Sequence, residues 1–468
     1  MTDIKKQLRA NGLGVSVHAK DNIVELSLLG TAKPLIAREI LYKALNGLEP
    51  FFTVFIRGMP FCFMPDARDH ILYRRRAGFH ILPGGAGRSY GAIRQCKACA
   101  LRTLCPGIET GSVFYRELRR TLRPVLAVPN EIVFELTRRC NLACRVCFAG
   151  RTGGGQPLSR LMTALREARR LGVKDVRFTG GEPTLSRNLL PMLKAARALG
   201  FYTLVNTNAC GADSVLLDKA APLIDNVLVS LQGYDAASES RAAGVKGLFS
   251  RKLANMRRLR AGIRAFRLGT VASKSLLRNF KAYHALAVSL KADVWEIYRP
   301  MPAHGGTGRP IFGKETMTAG SEFDLKAADM KRLSAAIAAL EPGGPPSPGL
   351  CRAGPRVLLA NPMPLCLMPA AERRNLLGAA FDDGHTRLVH DPRGFFKPSY
   401  YIEERLGDGI EQAWNSDYMR ALRSFSWLAP RCRACDWLLK CLGGSRFQAA
   451  AGGGNYFGND PWLPKERA

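Results

Sequence analysis

Between Glu131 and Tyr298 the sequence alternates short, β-rich apolar runs with longer segments of helical period. This alternation predicts βα units whose strands run parallel in one sheet. The predicted strands are Ile132 to Leu136, Val173 to Phe178, Tyr202 to Asn206, Val227 to Leu231, Arg267 to Ala272 and Val294 to Tyr298. The predicted helices are Leu158 to Leu171, Leu189 to Leu199, Ser214 to Ala221, Leu248 to Leu259 and Leu276 to Leu290. We therefore expect an α/β fold, a partial (β/α)6 parallel barrel, with its active site at the carboxyl ends of the strands.

The segments on either side of the barrel differ from it in composition. Residues 1–125 hold several cysteines and Gly/Pro breaks, and predict a separate N-terminal cysteine-bearing module. The barrel is expected over 126–312, followed by a helix and a Pro/Gly linker over 313–349, because repeated Pro and Gly continue neither a helix nor a central strand. Residues 350–468 form the predicted C-terminal module, and the stretch from Ala451 onward is expected to be a loosely held tail.

Thirteen cysteines are the compositional excess of this 468-residue chain. The sequence shows neither a long apolar span nor a secretory segment at its start, so we expect a cytoplasmic protein with no membrane partner. A reducing compartment disfavours disulfides and leaves metal binding or redox chemistry as the usual roles of cysteine.

Lys and Arg outnumber Asp and Glu by 69 to 38, which gives a net charge of +31 and predicts attraction for anionic partners. The basic residues are spread along the whole chain. Their densest run, Arg74-Arg75-Arg76, lacks the interleaved aromatic residues of single-strand binders. The pattern favours a basic solvated surface over a nucleic-acid site.

A cysteine triplet with the spacing Cys140-x3-Cys144-x2-Cys147 follows directly on the first predicted barrel strand. Three thiolates leave one iron of a [4Fe-4S] cluster open to a substrate or cofactor, whereas four would complete its coordination. A zinc knuckle is the alternative that uses the same thiolates.

This triplet at the end of a first βα-barrel strand resembles the defining motif of the radical S-adenosylmethionine (radical SAM) superfamily. Thr179-Gly180-Gly181-Glu182-Pro183, at the end of the second strand, is similar to the family's Gly-Gly-Glu motif, which holds the methionine amino group. The resemblance implies cofactor contacts at Gly180, Gly181, Glu182, Asn206, Thr207, Ser230 and Phe148. The chain departs from the family at Gln232, often Asp, and at Val146, commonly aromatic, with Phe148 displaced by one position.

A short motif occurs twice, as Met59-Pro-Phe-Cys62-Phe-Met-Pro65 and as Met363-Pro-Leu-Cys366-Leu-Met-Pro369. Each copy is followed by Cys-x2-Cys-x5-Cys, which predicts two related four-thiolate sites in small cysteine-rich modules flanking the barrel. The N-terminal set is Cys62, Cys96, Cys99 and Cys105; the C-terminal set is Cys366, Cys432, Cys435 and Cys441. Auxiliary [4Fe-4S] clusters and structural zinc both remain open for these sites.

The C-terminal set also resembles a degenerate SPASM/twitch extension of radical SAM enzymes. Two expected ligands are replaced, one by Ser445 and the last by Leu463, so the segment predicts one auxiliary cluster, with Cys351 as a substitute or fifth ligand. Cys210 lies close to a predicted strand end and is a candidate to donate or accept a hydrogen atom in the reaction. The alternative is a buried free thiol without a catalytic role.

The resemblance implies reductive cleavage of S-adenosylmethionine to a 5′-deoxyadenosyl radical that abstracts hydrogen. The leading hypothesis is maturation of a peptide or protein side chain, with electrons from a reduced flavodoxin- or ferredoxin-type donor. The alternatives are small-molecule cofactor or lipid biosynthesis, and a non-catalytic metal-bound scaffold or nucleic-acid binding protein. For a peptide and for a small molecule alike, the positive net charge favours an anionic substrate.

Overall fold

The computed structural model describes residues 6, 8–10, 12–28, 34–49, 51–72, 90–102, 104–105, 107–147, 154–301, 321–340, 354–379, 385–453 and 455–464. In these ranges the strands are β1 (Leu13–His18), β2 (Ile23–Leu28), β3 (Thr53–Arg57), β4 (Ile71–Leu72), β5 (Tyr90–Gly91), β6 (Ile108–Glu109), β7 (Glu131–Glu135), β8 (Asp175–Thr179), β9 (Tyr202–Thr207), β10 (Asn226–Ser230), β11 (Ala265–Val271), β12 (Val294–Tyr298), β13 (Arg356–Ala360), β14 (Arg387–His390) and β15 (Phe396–Lys397).

The helices in the same ranges are α1 (Pro34–Leu48), α2 (Val113–Arg116), α3 (Leu158–Leu171), α4 (Leu189–Ala198), α5 (Ser214–Ala220), α6 (Ala236–Ala243), α7 (Phe249–Gly262), α8 (Lys274–Arg278), α9 (Phe280–Ser289), α10 (Ala327–Ala339), α11 (Ile410–Trp414), α12 (Asp417–Ser424), α13 (Pro430–Arg433), α14 (Leu438–Cys441) and α15 (Arg446–Gly453). None of the helices in the described ranges is both long and apolar enough to span a lipid bilayer.

The six predicted barrel strands are confirmed as β7 to β12, which pair in parallel in their chain order. Strand residues alternate between two environments. Ile132 and Phe134 lie in the main hydrophobic core, whereas Glu131 lies on the other face of the sheet. There Glu131 forms a buried bidentate ion pair with Arg177, with N–O distances of 2.6 and 3.1 Å. The helices cover the apolar face. For example, α3 buries Leu161, Leu165 and their neighbours and ends at Gly172, whose φ of 85° stops the helix.

Two further parallel strands extend this sheet, and both come from the part of the chain predicted to be the C-terminal module. Strand β13 pairs with β12 at one edge and β14 pairs with β7 at the other, followed by the antiparallel β15. The short strands Arg356–Ala360 and Arg387–His390 lie among cysteine, Gly and Pro motifs, so the regular βα repeat does not indicate them. The boundary of the predicted barrel at residue 312 therefore does not coincide with the end of the sheet.

The predicted helix from Leu276 to Leu290 is divided into α8 and α9. Asn279 has non-helical dihedral angles, with φ −116° and ψ 26°, and its side chain donates to the carbonyl oxygen of Ser275 at 3.0 Å. Side-chain capping of this kind competes with helix continuation, so Asn279 separates the two segments.

The N-terminal residues form a second sheet of β1, β2, β3 and β4, in which helix α1 connects the parallel strands β2 and β3. The repeated motif has the same local structure in both copies. Strand β3 leads to 3-10 turns Phe61–Phe63 and Pro65–His70, and β13 leads to 3-10 turns Leu365–Leu367 and Ala370–Asn375. The chain then pairs in parallel with the starting strand, through β4 in the first copy and through Leu376 with Leu359 in the second.

The expectation of a loose tail after Ala451 is wrong for the described residues up to 464. Asp460 is fully buried and forms a bidentate ion pair with Arg299, with N–O distances of 2.7 and 3.2 Å. The guanidinium of Arg299 also lies 3.5 Å from the ring centroid of Trp462. Gly-rich composition indicates a mobile segment only when no later side chain anchors it, and here Asp460 and Trp462 provide that anchor.

Candidate active site

The cysteine triplet lies on a loop that begins where β7 ends, at the carboxyl edge of the parallel sheet. Helix α6 supports this loop, because the amide nitrogens of Ala143 and Arg145 donate to the carbonyl oxygens of Ala243 and Ala242 at 2.9 and 3.1 Å. The contact is close enough that a Cβ on Gly244 would lie 2.4 Å from the oxygen of Ala143. The last turn of α6 therefore fixes the path of the loop.

The three thiols of this loop lie in one partly buried group. Burial, together with the nearby thiols of Cys147 and Cys140, raises the pKa of Cys144 to about 12. The amide of Leu142 donates to the sulfur of Cys140 at 3.4 Å. Within the described ranges, no three His, Cys, Asp or Glu side chains converge as they would around a single metal ion. Three thiols on one loop, with amide donors directed at sulfur, form a donor set that fits an iron–sulfur cluster.

Gly180 and Gly181 bring the end of β8 against the residues that lead into this loop. A Cβ on Gly180, whose φ is 142°, would lie 2.2 Å from the carbonyl oxygen of Thr137, and one on Gly181 would lie 2.3 Å from that of Arg139. The amides of Gly181 and Glu182 donate to these same two oxygens at 2.7 and 2.8 Å. The glycines are thus required for contact between two protein segments, in addition to any approach of a ligand.

The carboxylate of Glu182 is completely buried and binds protein donors. Its Oε1 accepts from the amide and hydroxyl of Thr184 and from the hydroxyl of Thr207, and its Oε2 accepts from the amide of Asn208 at 2.7 Å. Burial raises the pKa of Glu182, and these hydrogen bonds oppose that rise. Glu182 therefore connects the end of β8 to the end of β9, a role that the sequence motif alone does not reveal.

Asn208 directly follows Thr207 at the end of β9 and is a site residue that was not among the predicted cofactor contacts. Its Nδ2 donates to Asn141 Oδ1 at 2.9 Å and lies 3.7 Å from the sulfur of Cys140. Its Oδ1 accepts from the amide of Cys210 at 2.7 Å. Cys210 is buried and packs with Leu142, Ala243, Cys140 and Cys144, and burial raises its pKa. The structure thus places this thiol beside the triplet.

The remaining predicted contacts have different surroundings. The Asn206 side chain accepts from Arg177 at 2.9 Å, and the carbonyl oxygen of Ser230 accepts from the buried Lys252 at 2.8 Å. Gln232, which replaces the usual Asp, accepts from the amide of Val271 at 2.9 Å and so connects β10 to β11. Phe148 and Cys351 lie outside the described residues.

The four cysteines of the N-terminal set line one cavity of about 230 Å³. Burial raises the pKa of Cys62, and the proximity of Cys105, Cys99 and Cys96 raises it further. The four thiols therefore line one shared space, as the predicted four-thiolate site requires.

The four described cysteines of the C-terminal set also lie together. Burial, together with the thiols of Cys435 and Cys366, raises the pKa of Cys441 to about 12. Burial raises the pKa of Cys432, and the nearby thiol of Cys366 raises it further. The amide of Leu365 donates to the sulfur of Cys441 at 3.4 Å, which joins the two halves of the set.

The two positions where the SPASM-like pattern lacks cysteine both lie beside Asp460. The amide of Ser445 donates to Asp460 Oδ2 at 2.9 Å, and the amide of Leu463 donates to the Asp460 carbonyl oxygen at 2.8 Å. The ion pair of Asp460 with Arg299 connects Ser445 and Leu463 to the end of β12. In this chain the ion pair stabilises the two positions at which the SPASM-like pattern would have cysteine.

Comparisons with known proteins agree with this geometry. Residues 134–272 match the family model of the Radical SAM superfamily. The chain is 26% identical over 363 residues to the PqqA peptide cyclase of Methylobacterium sp. (strain 4-46), covering 72% of this chain and 86% of that protein. Streptococcus suis SuiB bound to the precursor peptide SuiA has a similar fold, with a TM-score of 0.54 and 19% identity over 72% of this chain and 75% of that one. The anSMEcpe enzyme with bound AdoMet and the Cp18Cys peptide is similar with a TM-score of 0.50 and 15% identity, over 70% of this chain and 93% of that one.

Proposed function

Because this chain is a radical SAM enzyme, which uses a [4Fe-4S] cluster and S-adenosylmethionine, we propose that its reaction modifies a side chain of a peptide or protein. The relatives that support this substrate class are a peptide cyclase and two proteins whose structures contain bound peptides. When bound, the cluster supplies one electron to the sulfonium, which yields methionine and the 5′-deoxyadenosyl radical.

The proposal depends mainly on one observation: residues at the carboxyl ends of β7, β8 and β9 contact one another around the cysteine loop. Asn208 contacts Cys140 and Asn141, Glu182 binds the amide of Asn208, and Gly181 packs on Arg139. We assign Cys140, Cys144 and Cys147 to the cluster. Gly180, Gly181, Glu182, Asn206, Thr207, Ser230 and Phe148 are the proposed cofactor-side residues, with Glu182 acting through the protein contacts described above.

We assign the other two cysteine sets to auxiliary clusters that exchange electrons with the substrate or with a donor protein. The cavity at Cys62, Cys96, Cys99 and Cys105 supports the first assignment, and the grouping of Cys366, Cys432, Cys435 and Cys441 supports the second. Cys351 is the proposed substitute ligand. A flavodoxin- or ferredoxin-type donor and a reducing, cytoplasmic location complete the proposal, because free thiolates and reduced clusters require such surroundings.

The test compares cysteine variants of the anaerobically purified enzyme supplied with S-adenosylmethionine and dithionite. Cys144→Ala is expected to abolish release of 5′-deoxyadenosine, because the cluster that delivers the electron loses a ligand. Cys99→Ala and Cys435→Ala are expected to retain some uncoupled release while losing turnover of peptide. Roughly twelve iron atoms per unmodified chain are expected for three cubane clusters.

Two results would contradict these assignments. Zinc without iron at the triplet would remove the source of the radical. Equal and complete loss of 5′-deoxyadenosine in all three variants, with intact folding by circular dichroism, would exclude an auxiliary role for the other two sets.

A further inference from the structure

We propose that the N-terminal cysteine site is the docking port for an acidic electron-transfer protein of the flavodoxin or ferredoxin class. This inference rests on the proposed function, because it assigns the point at which that reaction receives its electrons. We assign the N-terminal module to electron transfer. Peptide binding at this module is the alternative, and the experiment distinguishes the two.

The first observation is a group of exposed basic residues in the segments that carry or adjoin the cysteine cavity. We call it the basic rim; it consists of Arg94, Lys97, Arg102, Arg119, Arg120 and Arg123, all of them exposed. Between residues 91 and 125 the acidic residues are Glu109 and Glu117. An acidic protein is therefore attracted to this face at the same place where the thiols lie.

The second observation is that segments carrying the rim residues contact the cavity. Gln95 and Arg102 line the cavity together with the four cysteines. The side-chain amide of Gln95 donates to the carbonyl oxygens of Arg119 and Arg120, at 2.9 and 3.4 Å. The amide of Arg123 donates to the carbonyl oxygen of Cys62 at 3.2 Å. Rim residues therefore belong to segments that line the cavity or contact its lining residues.

The third observation is continuity from this site towards the barrel. Cys62, Cys99 and Cys105 pack against the same hydrophobic core as Cys432 of the C-terminal set. Helix α14, which carries Cys441, packs on the 3-10 turn Pro65–His70 that follows Cys62. Cys435 and Cys441 pack in turn against the core of the barrel. The sites are therefore connected through packed protein from the N-terminal module to the C-terminal module and the barrel.

The proposed step transfers one electron from the partner protein to the N-terminal site. The reduced partner protein is oxidised by one electron, and the N-terminal site is reduced by the same electron. Cleavage of one S-adenosylmethionine consumes one electron in turn. Dithionite is a small reductant that does not need the docking surface, so it separates docking from the chemistry that follows.

The experiment reverses charge on the rim and, as a control, on a helix of the barrel. The rim variant is Arg94→Glu/Arg119→Glu/Arg120→Glu, and the control is Arg166→Glu/Arg169→Glu/Arg170→Glu on the exposed face of α3. Both variants change the net charge by the same amount. The initial rate of 5′-deoxyadenosine release is measured with reduced flavodoxin at several concentrations, and separately with dithionite.

The rim variant is expected to lower kcat/KM for flavodoxin by roughly tenfold or more and to flatten its dependence on salt, because electrostatic steering changes association rates over this range. The control is expected to keep both rates. If the reversal lowers iron content, the milder set Arg94→Gln/Arg119→Gln/Arg120→Gln takes its place.

Equal flavodoxin kinetics in rim variant and control would overturn the proposal. A raised KM for peptide with unchanged flavodoxin kinetics would also overturn it and would assign the face to substrate. Absence of 5′-deoxyadenosine from the unmodified enzyme with dithionite would instead contradict the proposed function itself, so the two failures are distinguishable.

Discussion

A buried lysine stabilises the surroundings of the proposed cluster loop. The Lys252 side chain on α7 is 2% exposed, forms an ion pair with Glu239 on α6 and donates to the Ser230 carbonyl oxygen at 2.8 Å. Glu239 also accepts from the amides of Gln232 and Gly233, both at 2.7 Å. The pair thereby connects the end of β10 to the helix whose last turn holds the cysteine loop.

Lys252→Met is expected to lower the free energy of unfolding by about 3–5 kcal/mol, because it leaves the carboxylate of Glu239 buried without its cation. The double variant Lys252→Met/Glu239→Gln is expected to recover much of that loss, because no uncompensated charge remains. Denaturant unfolding of Lys252→Met, Glu239→Gln, the double variant and the unmodified enzyme measures the effect. A double variant as unstable as the sum of the two single changes would show that the two charges are not coupled.

Sequence reasoning could select the cysteines, Gly181 and Glu182 at the site, but not every residue that holds the cysteine loop. Spacing made Cys140, Cys144 and Cys147 candidate ligands of a cluster or of zinc, and the resemblance to the radical SAM motif favoured the cluster. Lys252 has no such signal. Lys252 does lie on the buried stripe of α7 with Asn255, Met256 and Leu259, but a lysine in a helix is usually taken as a surface residue.

At the scale of elements, the regular period of the barrel made β7 to β12 predictable, because each strand is apolar and each helix is amphipathic. Strands β13 and β14 were not predicted, since they lie outside the regular βα repeat and owe their place to pairing with β12 and β7. Pairing partners that are far apart in sequence leave no local pattern. The packing of the β8 turn on the cysteine loop is likewise a tertiary property.

Gly181→Ala is expected to displace the cysteine loop, because its Cβ would lie 2.3 Å from the carbonyl oxygen of Arg139. Backbone cannot yield as a flexible side chain can, so the proposed SAM cluster should be lost while auxiliary clusters remain. Iron per chain is expected to fall by roughly four atoms of about twelve. Gly154→Ala is the control, since a Cβ there has no atom within 4 Å. Full iron content in Gly181→Ala would show that the loop tolerates the shift.

At the scale of the whole molecule, residues from before and after the barrel strands share one hydrophobic core. Phe425, Leu428, Leu438 and Leu442 pack in the same cluster as the N-terminal residues, and the rings of Phe55 and Trp437 meet edge to face at 5.1 Å. The repeated cysteine motif predicted two related sites, and the structure adds that the segments carrying them are packed together. Sequence could not indicate this, because the contacting residues are ordinary apolar residues.

The ion pair between Arg299 and Asp460 anchors the C-terminal segment to the barrel. Because both side chains are at most 1% exposed, Asp460→Asn leaves a buried guanidinium without its counter-charge. We expect a loss of about 3–5 kcal/mol in the free energy of unfolding. Limited proteolysis should also cleave the segment after α15 faster, since the pair holds it against β12. Asp218→Asn, which removes an exposed pair with Arg258, is the control and should cost at most ~1 kcal/mol. Equal proteolysis rates for the two variants would show that Trp462 and its neighbours hold the segment without the ion pair.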